Sequence, residues 1–173
     1  LNRCLAGHGL AVSDLDVVLL THGHIDHTGL LPRILEHSHA QAYAHPRITQ
    51  LAGAVQETAE EAMSRLEALL RELGSPPGPI AACIEEHSSF HAYMEKADVG
   101  NAVEDGDVIA GFTAHHAPGH SASDVVYVNH AARVAFTGDH LLKHIQPTPL
   151  IRRAEAGKPR PKSLLEYRES LKR

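Results

Sequence analysis

Three histidines and an aspartate fall within six consecutive positions, His22-Gly23-His24-Ile25-Asp26-His27. Imidazole and carboxylate are the side chains that bind divalent cations, and four of them this close would be poorly satisfied without one. By composition alone such a string arises in about one in two hundred chains of this kind. His22 and His24 lie two residues apart, so in an extended segment they project to the same side. Neighbouring ligands in one string cannot complete a coordination shell, and the others must come from elsewhere in the chain. Two further stretches offer them. His120 follows a Pro118-Gly119 turn, and Asp139 follows Gly138.

The predicted elements place all three stretches at strand ends. Val17-Val18-Leu19-Leu20 follows a polar Ser13-Asp14 turn and reads as a buried strand that ends at the histidine string. Asp26 and His27 then open a helix. Residues 29–36 read as a short helix, with Pro32 tolerable in its first turn. Residues 41–44 read as a short strand. Over 47–73, apolar residues from Ile48 to Leu73 recur every three or four positions, which predicts one long amphipathic helix stopped by Gly74. Residues 75–79 (SPPGP) are a break, and 80–96 a second, less regular helix. From there the texture changes. Asp105-Gly106 is a turn signal, and 108–115, 124–129 and 132–137 read as strands. Residues 146–162 read as a loop. Ser163 to Leu171 reads as a helix with Ser163 as N-cap and Glu166 completing a capping box. Loops at strand ends are where functional residues gather, and His120 and Asp139 both occupy such loops. The mixed order of elements predicts layers of sheet and helix.

The chain has 173 residues, enough for one domain with a real core. Its 15 histidines and absence of tryptophan are unusual. The net charge of −5 hides an asymmetry: residues 143–173 hold nine of the 16 Lys and Arg but three of the 21 acids. An acidic body thus carries a basic tail, a rim that could attract an anionic substrate. No run approaches the roughly 20 apolar residues that span a bilayer, and the N-terminus has no secretory signal pattern. Cys4 and Cys83 lie far apart and outside any metal spacing, so a reducing, cytoplasmic setting is expected. His8, His37, His39, His45, His87, His91 and His130 read as surface. His115 and His116 read as strand residues, one of them a candidate to orient a ligand.

Thr21-His22-Gly23-His24-Ile25-Asp26-His27-Thr28-Gly29, then Pro118-Gly119-His120-Ser121, then Thr137-Gly138-Asp139-His140 resemble, in order and spacing, the motifs of the metallo-β-lactamase superfamily. The resemblance runs over roughly residues 12–142. It implies an αββα sandwich of the α/β (α+β) class, here incomplete, as one partial domain over 1–173 with a helical insertion at about 47–96. It implies two divalent metal ions, zinc first, with iron or manganese as substitutes. His22, His24 and His120 would hold one ion; Asp26, His27 and a bridging Asp139 would hold the other. A water shared by the two ions would be hydroxide near neutral pH and would attack the substrate, with Asp26 orienting it.

Relatives in that family supply a late histidine in a glycine-containing turn after a helix, and several strands before the first motif. The resemblance therefore implies a piece cut at both ends, with His140 or His144 the substitutes for the late ligand. Thr28 instead of a third histidine, and Asp139 instead of cysteine, point toward thioester hydrolases similar to glyoxalase II. The expected activity is metal-dependent hydrolysis of a small-molecule thioester or ester, with an anionic thioester suiting the basic tail. No nucleic-acid or membrane partner is expected, and a homo-oligomer is allowed. Three alternatives stay open. They are a non-catalytic or single-metal fragment, a mononuclear iron oxidising relative using His22, His120 and Asp139, and a nuclease, against which 4% aromatics and the acidic body argue.

Overall fold

The computed structural model describes residues 1–53, 59–91, 99–150, 152, 154 and 157–173. Helix α1 (Asn2–Ala6) and a 3-10 turn (Val12–Asp14) lead into β1 (Val17–Leu19). Helices α2 (Ile25–Thr28) and α3 (Leu31–Glu36) precede β2 (Gln41–Ala44). Helices α4 (Pro46–Gly53), α5 (Ala59–Glu72) and α6 (Pro77–His91) come next. Then follow β3 (Asn101–Ala102), β4 (Val108–Ile109), β5 (Phe112–His116), β6 (Val125–Asn129), β7 (Val134–Phe136), a 3-10 turn (Gly138–His140) and α7 (Ser163–Ser170).

Two sheets result. β1, β2 and β3 form a parallel sheet in that order, with Val18 paired to Ala42 and Tyr43 to Asn101. β4 to β7 form an antiparallel meander, with Ala114 opposite Tyr127 and Tyr127 opposite Phe136. The two-residue alternation of a strand sorts the side chains between two cores. Leu20, Ala42 and Ala44, with Val18 beside them, meet Leu31, Leu35 and Ile48 from the helices. Leu19 and Tyr43 point the other way and, with Val103 just after β3, pack onto Ala114, Val125 and Tyr127 of the second sheet. The layers thus run helices, parallel sheet, antiparallel sheet. Each fully buried Val or Leu contributes about 1.5–3 kcal/mol to that stacking. The sheets are also stitched at one edge. Val125 N donates to Thr21 O at 2.7 Å, and the buried Tyr127 hydroxyl donates to Leu20 O at 3.1 Å. Both bonds grip the backbone immediately before His22.

Several sequence expectations are corrected. The strand 108–115 is broken by a two-residue hairpin turn at Ala110 and Gly111, whose φ of 50° and 81° are both left-handed, as a type I′ turn requires. Alanine in that conformation gave no signal. The expected Asp105-Gly106 turn does form, and it carries the chain from one sheet to the other. The helix expected over 47–73 is seen as α4 and α5; residues 54–58 between them lie outside the described residues, as does the 92–96 end of the second helix. That second helix starts at Pro77, inside the expected break, because the first-turn N–H groups have no intrahelical partner and proline forfeits nothing there. Ser163 does not cap α7. Lys162 occupies the cap position, and Ser163 Oγ instead accepts from Arg152 Nε at 3.1 Å. The two cysteines are free, Cys4 exposed and Cys83 partly buried. Among the described residues no helix is long and apolar enough to cross a membrane.

Candidate metal centre

Each of the three sequence motifs begins where a strand stops. β1 ends at Leu19 and His22 follows; β5 ends at His116 and His120 follows; β7 ends at Phe136 and Asp139 follows. Strands fix the backbone up to the last hydrogen-bonded residue, so the loops start from well-defined positions at one edge of the layered sheets. Glycine lets the loops approach one another. Gly138 has φ 50°, and a Cβ there would lie 2.6 Å from Thr21 Oγ1, so only glycine fits where the Asp139 loop crosses the first motif.

The side chains converge. His24 Nδ1 lies 3.0 Å from His22 Nε2 and 2.9 Å from His120 Nε2. His120 Nδ1 lies 3.0 Å from the Thr148 carbonyl, which can only accept, so Nδ1 carries the proton and Nε2 presents a lone pair. One proton on His24 Nδ1 could serve one of these two contacts well; a cation serves all three nitrogens. A tetrahedral ion with bonds of about 2.0–2.1 Å to nitrogen would space them by roughly 3.3 Å, so the cluster fits such an ion with a shift of a few tenths of an ångström. A second group, His22, His27 and Asp139, adjoins the first, and ligand atoms within each group lie within 4.8 Å of one another. Asp139 spans the two: Oδ1 is 3.4 Å from His27 Nε2 and Oδ2 is 3.5 Å from His120 Nε2.

Asp26 joins neither group. Its side chain is 71% exposed, with Oδ2 3.7 Å from His27 Nε2. His140 and His144 join neither group as well. His144 is exposed, and the His140 ring is buried against Tyr167 with its Nδ1 unpartnered.

The electrostatics favour neutral imidazoles. Burial, followed by repulsion from His27, His24 and His120, pulls His22 from 6.5 down to about 4, against a smaller upward pull from Asp139. Burial and then His120 also hold His24 below its ordinary value. A lowered pKa keeps the nitrogen lone pair free at neutral pH, which is what a metal ligand needs.

Two further residues, Asp124 beside the His120 loop and His45 against His116, escaped the sequence reading. Asp124 is a buried carboxylate that accepts from Ser121 N at 2.8 Å and from Ser121 Oγ at 2.5 Å, fixing the loop that carries His120. His45, expected at the surface, is half-buried; its ring lies 4.3 Å from that of His116, and burial and then His116 pull it down to about 4. The signal for Asp124 was available in its spacing of three from Ser121, a local side-chain-to-backbone pattern.

These features are those of the superfamily whose sequence profile matches residues 3–173, the metallo-beta-lactamase superfamily, and the chain belongs to it. It is 28% identical over 180 residues to the Probable metallo-hydrolase YqjP of Bacillus subtilis (strain 168), covering 100% of this chain and 54% of that protein. The chain therefore spans about half the length of the curated relative it matches. Among solved structures it is similar to the metallo-beta-lactamase family protein TTHA1429 from Thermus thermophilus, with TM-score 0.69, 24% identity, and coverage of 99% of this chain and 54% of that one. It is also similar to TTHA1623, solved in a di-iron-bound form, with TM-score 0.57, 23% identity, and coverage of 98% and 67%. These likenesses establish the fold, the metallo-β-lactamase sandwich of α/β type, of which this chain carries a part.

Proposed function

We propose that the chain is the metal-binding part of a hydrolase that cleaves a small-molecule thioester or ester. The convergence of the His22, His24 and His120 nitrogens carries this reading. In it, those three residues hold one divalent ion, and His27 and Asp139, with Asp26 from the exposed side, hold a second. Bound ions would polarise the substrate carbonyl and acidify a water. The chain's own residues do the rest. The Thr148 carbonyl holds the proton on His120 Nδ1 and so keeps Nε2 turned inward. Asp139 ties the two halves of the site through its two oxygens. Asp26, the most open of the set, lies 3.7 Å from His27 Nε2, from where its carboxylate would orient the attacking water. Zinc suits the nitrogen-rich first site; iron remains the alternative, and the di-iron form of TTHA1623 supports it.

An anionic substrate is favoured less by the structure than by the charge pattern. Arg152 pairs with Glu166, Lys172 with Glu169 and Arg173 with Asp105, so three cations of the basic tail are already neutralised. A single-ion reading also has support, since the first group contains three imidazoles and the second depends on His22 being shared. The test is metal analysis of the purified chain and of His24→Ala, with hydrolysis of a glutathione thioester and a coenzyme A thioester measured on the metal-loaded protein. The expected result is one to two equivalents of zinc or iron, lost in His24→Ala. A chain that binds no divalent metal, or a His24→Ala variant with unchanged content, overturns the reading.

A further inference from the structure

Helix α7 is packed with its polar face inward. Its buried residues are Ser163, Tyr167 and Ser170, spaced by four and three and therefore on one face, while Leu164 is 59% and Leu165 47% exposed. An ordinary surface helix buries its leucines. Two of these three, Tyr167 and Ser170, land on the backbone of the two loops that carry His120 and Asp139. The Tyr167 hydroxyl donates to the His140 carbonyl at 2.9 Å, and its ring meets the His140 ring edge-on at 5.1 Å. One turn further on, Ser170 Oγ donates to the Pro118 carbonyl at 2.7 Å. Gly119 makes this approach possible, because a Cβ there would lie 2.5 Å from Tyr167 Cδ2 and 2.8 Å from its Cα. At the other end of the helix Arg152 holds Ser163 and Glu166, and the segment before Arg152 returns to His120 through Leu150 N and the Thr148 carbonyl.

From this geometry we infer that Tyr167 is a positioning residue for the metal centre: by bonding one ligand loop and packing on the other, it sets the separation of His120 and Asp139. The inference rests on the metal-site reading above. Tyr167 touches no reacting atom, and its effect passes through the backbone at His140 and Gly119.

The test uses the full chain. Zinc affinity is measured by competition with a chromophoric chelator, the cobalt(II) absorption spectrum reports ligand geometry, and thermal melting of the chelator-treated protein reports the fold alone. Tyr167→Phe keeps the ring and removes one buried hydrogen bond. It is expected to lower zinc affinity about fivefold and to shift the cobalt spectrum, beside a metal-free melting loss of only about 2–4 °C, the share of one buried hydrogen bond. Ser170→Ala is expected to lower affinity about threefold, and it carries the test if Tyr167→Phe does not fold. Leu164→Ala, on the exposed face, is the control and is expected to match the parent. Affinity within twofold of the parent, or a loss that Leu164→Ala reproduces, overturns the inference and leaves the metal site standing. A parent chain that binds no zinc overturns both.

Discussion

Replacing Gly138 by alanine tests whether the ligand loops are held by backbone approach. Two costs combine at this position. The first is conformational: φ of 50° lies in the left-handed region, where an L side chain costs roughly 1–2 kcal/mol. The second is steric: the new Cβ would lie 2.6 Å from Thr21 Oγ1 and 2.7 Å from Thr21 Cβ. The Thr21 Cβ is fixed to a backbone that Val125 grips from the second sheet, so it cannot swing away. Overpacking of this kind costs about 1–3 kcal/mol, for a total of roughly 2–5 kcal/mol. Gly74→Ala separates the two costs. Gly74 closes α5 at φ 80° with nothing within 4 Å of the added carbon, so only the conformational cost of roughly 1–2 kcal/mol applies. Urea denaturation of the metal-free variants should therefore place Gly138→Ala below Gly74→Ala by the steric difference. If the loop yields instead of the fold, the cost appears as displaced Asp139. A strain of about 2 kcal/mol then weakens metal binding roughly thirtyfold, whereas Gly74→Ala binds as the parent does. Equal stability and equal metal affinity in the two variants would refute the claim that Gly138 is required where the loops cross.

Gly119→Ala drives a carbon into the Tyr167 backbone and should cost about 3 kcal/mol or more, read by thermal or urea unfolding, with Gly78→Ala, which has open space at its added carbon, as the mild comparison. Asp124→Asn turns an acceptor of two hydrogen bonds from Ser121 into a group that presents an amide donor to one of them, and should lower unfolding free energy by about 1–3 kcal/mol. The pH dependence of folding should carry the signature of His45, whose folded pKa of about 4 lies below its ordinary 6.5. The unfolded chain binds the extra proton between those values, so stability is fully present above pH 6.5 and is lost as pH falls toward 4. With a half-buried ring, solvent screening reduces the contribution to about 1–2 kcal/mol, and His45→Asn should flatten the curve over that window without changing metal content.

The parts of this molecule that were legible in its sequence share one property: their signal is local. His22, His24, His27, His120 and Asp139 could be singled out because each ligand-type side chain sits beside a glycine or another ligand at the end of a short β-rich run. β2 could be read at Gln41–Ala44, and α3 within two residues, from alternation and from a proline in a first turn. Asp26 was the exception among the candidate ligands. It shares the string with its neighbours, but on the opening turn of α2 its side chain is mostly exposed and lies beside His27, outside both three-residue clusters. Spacing that is right for an extended chain does not carry over a change to helix.

What could not be read depends on partners far away in the chain. Ser163 and Glu166 have the spacing of a capping box, yet Arg152 engages both, and nothing in the local pattern announces it. By composition alone the leucines of α7 would form its buried face, and the same distant contacts reverse that. The loops around His120 and Asp139 leave backbone carbonyls, at Pro118 and His140, outside any strand ladder. Buried carbonyls must be paired. A helix that covers them must therefore bring donors rather than methyl groups, and Tyr167 and Ser170 are those donors. The irregular backbone that a metal centre needs for its ligands thus sets the polarity of the helix packed behind it. An inward polar face at helical spacing, close in sequence to ligand-bearing loops, is itself a sign of such a site.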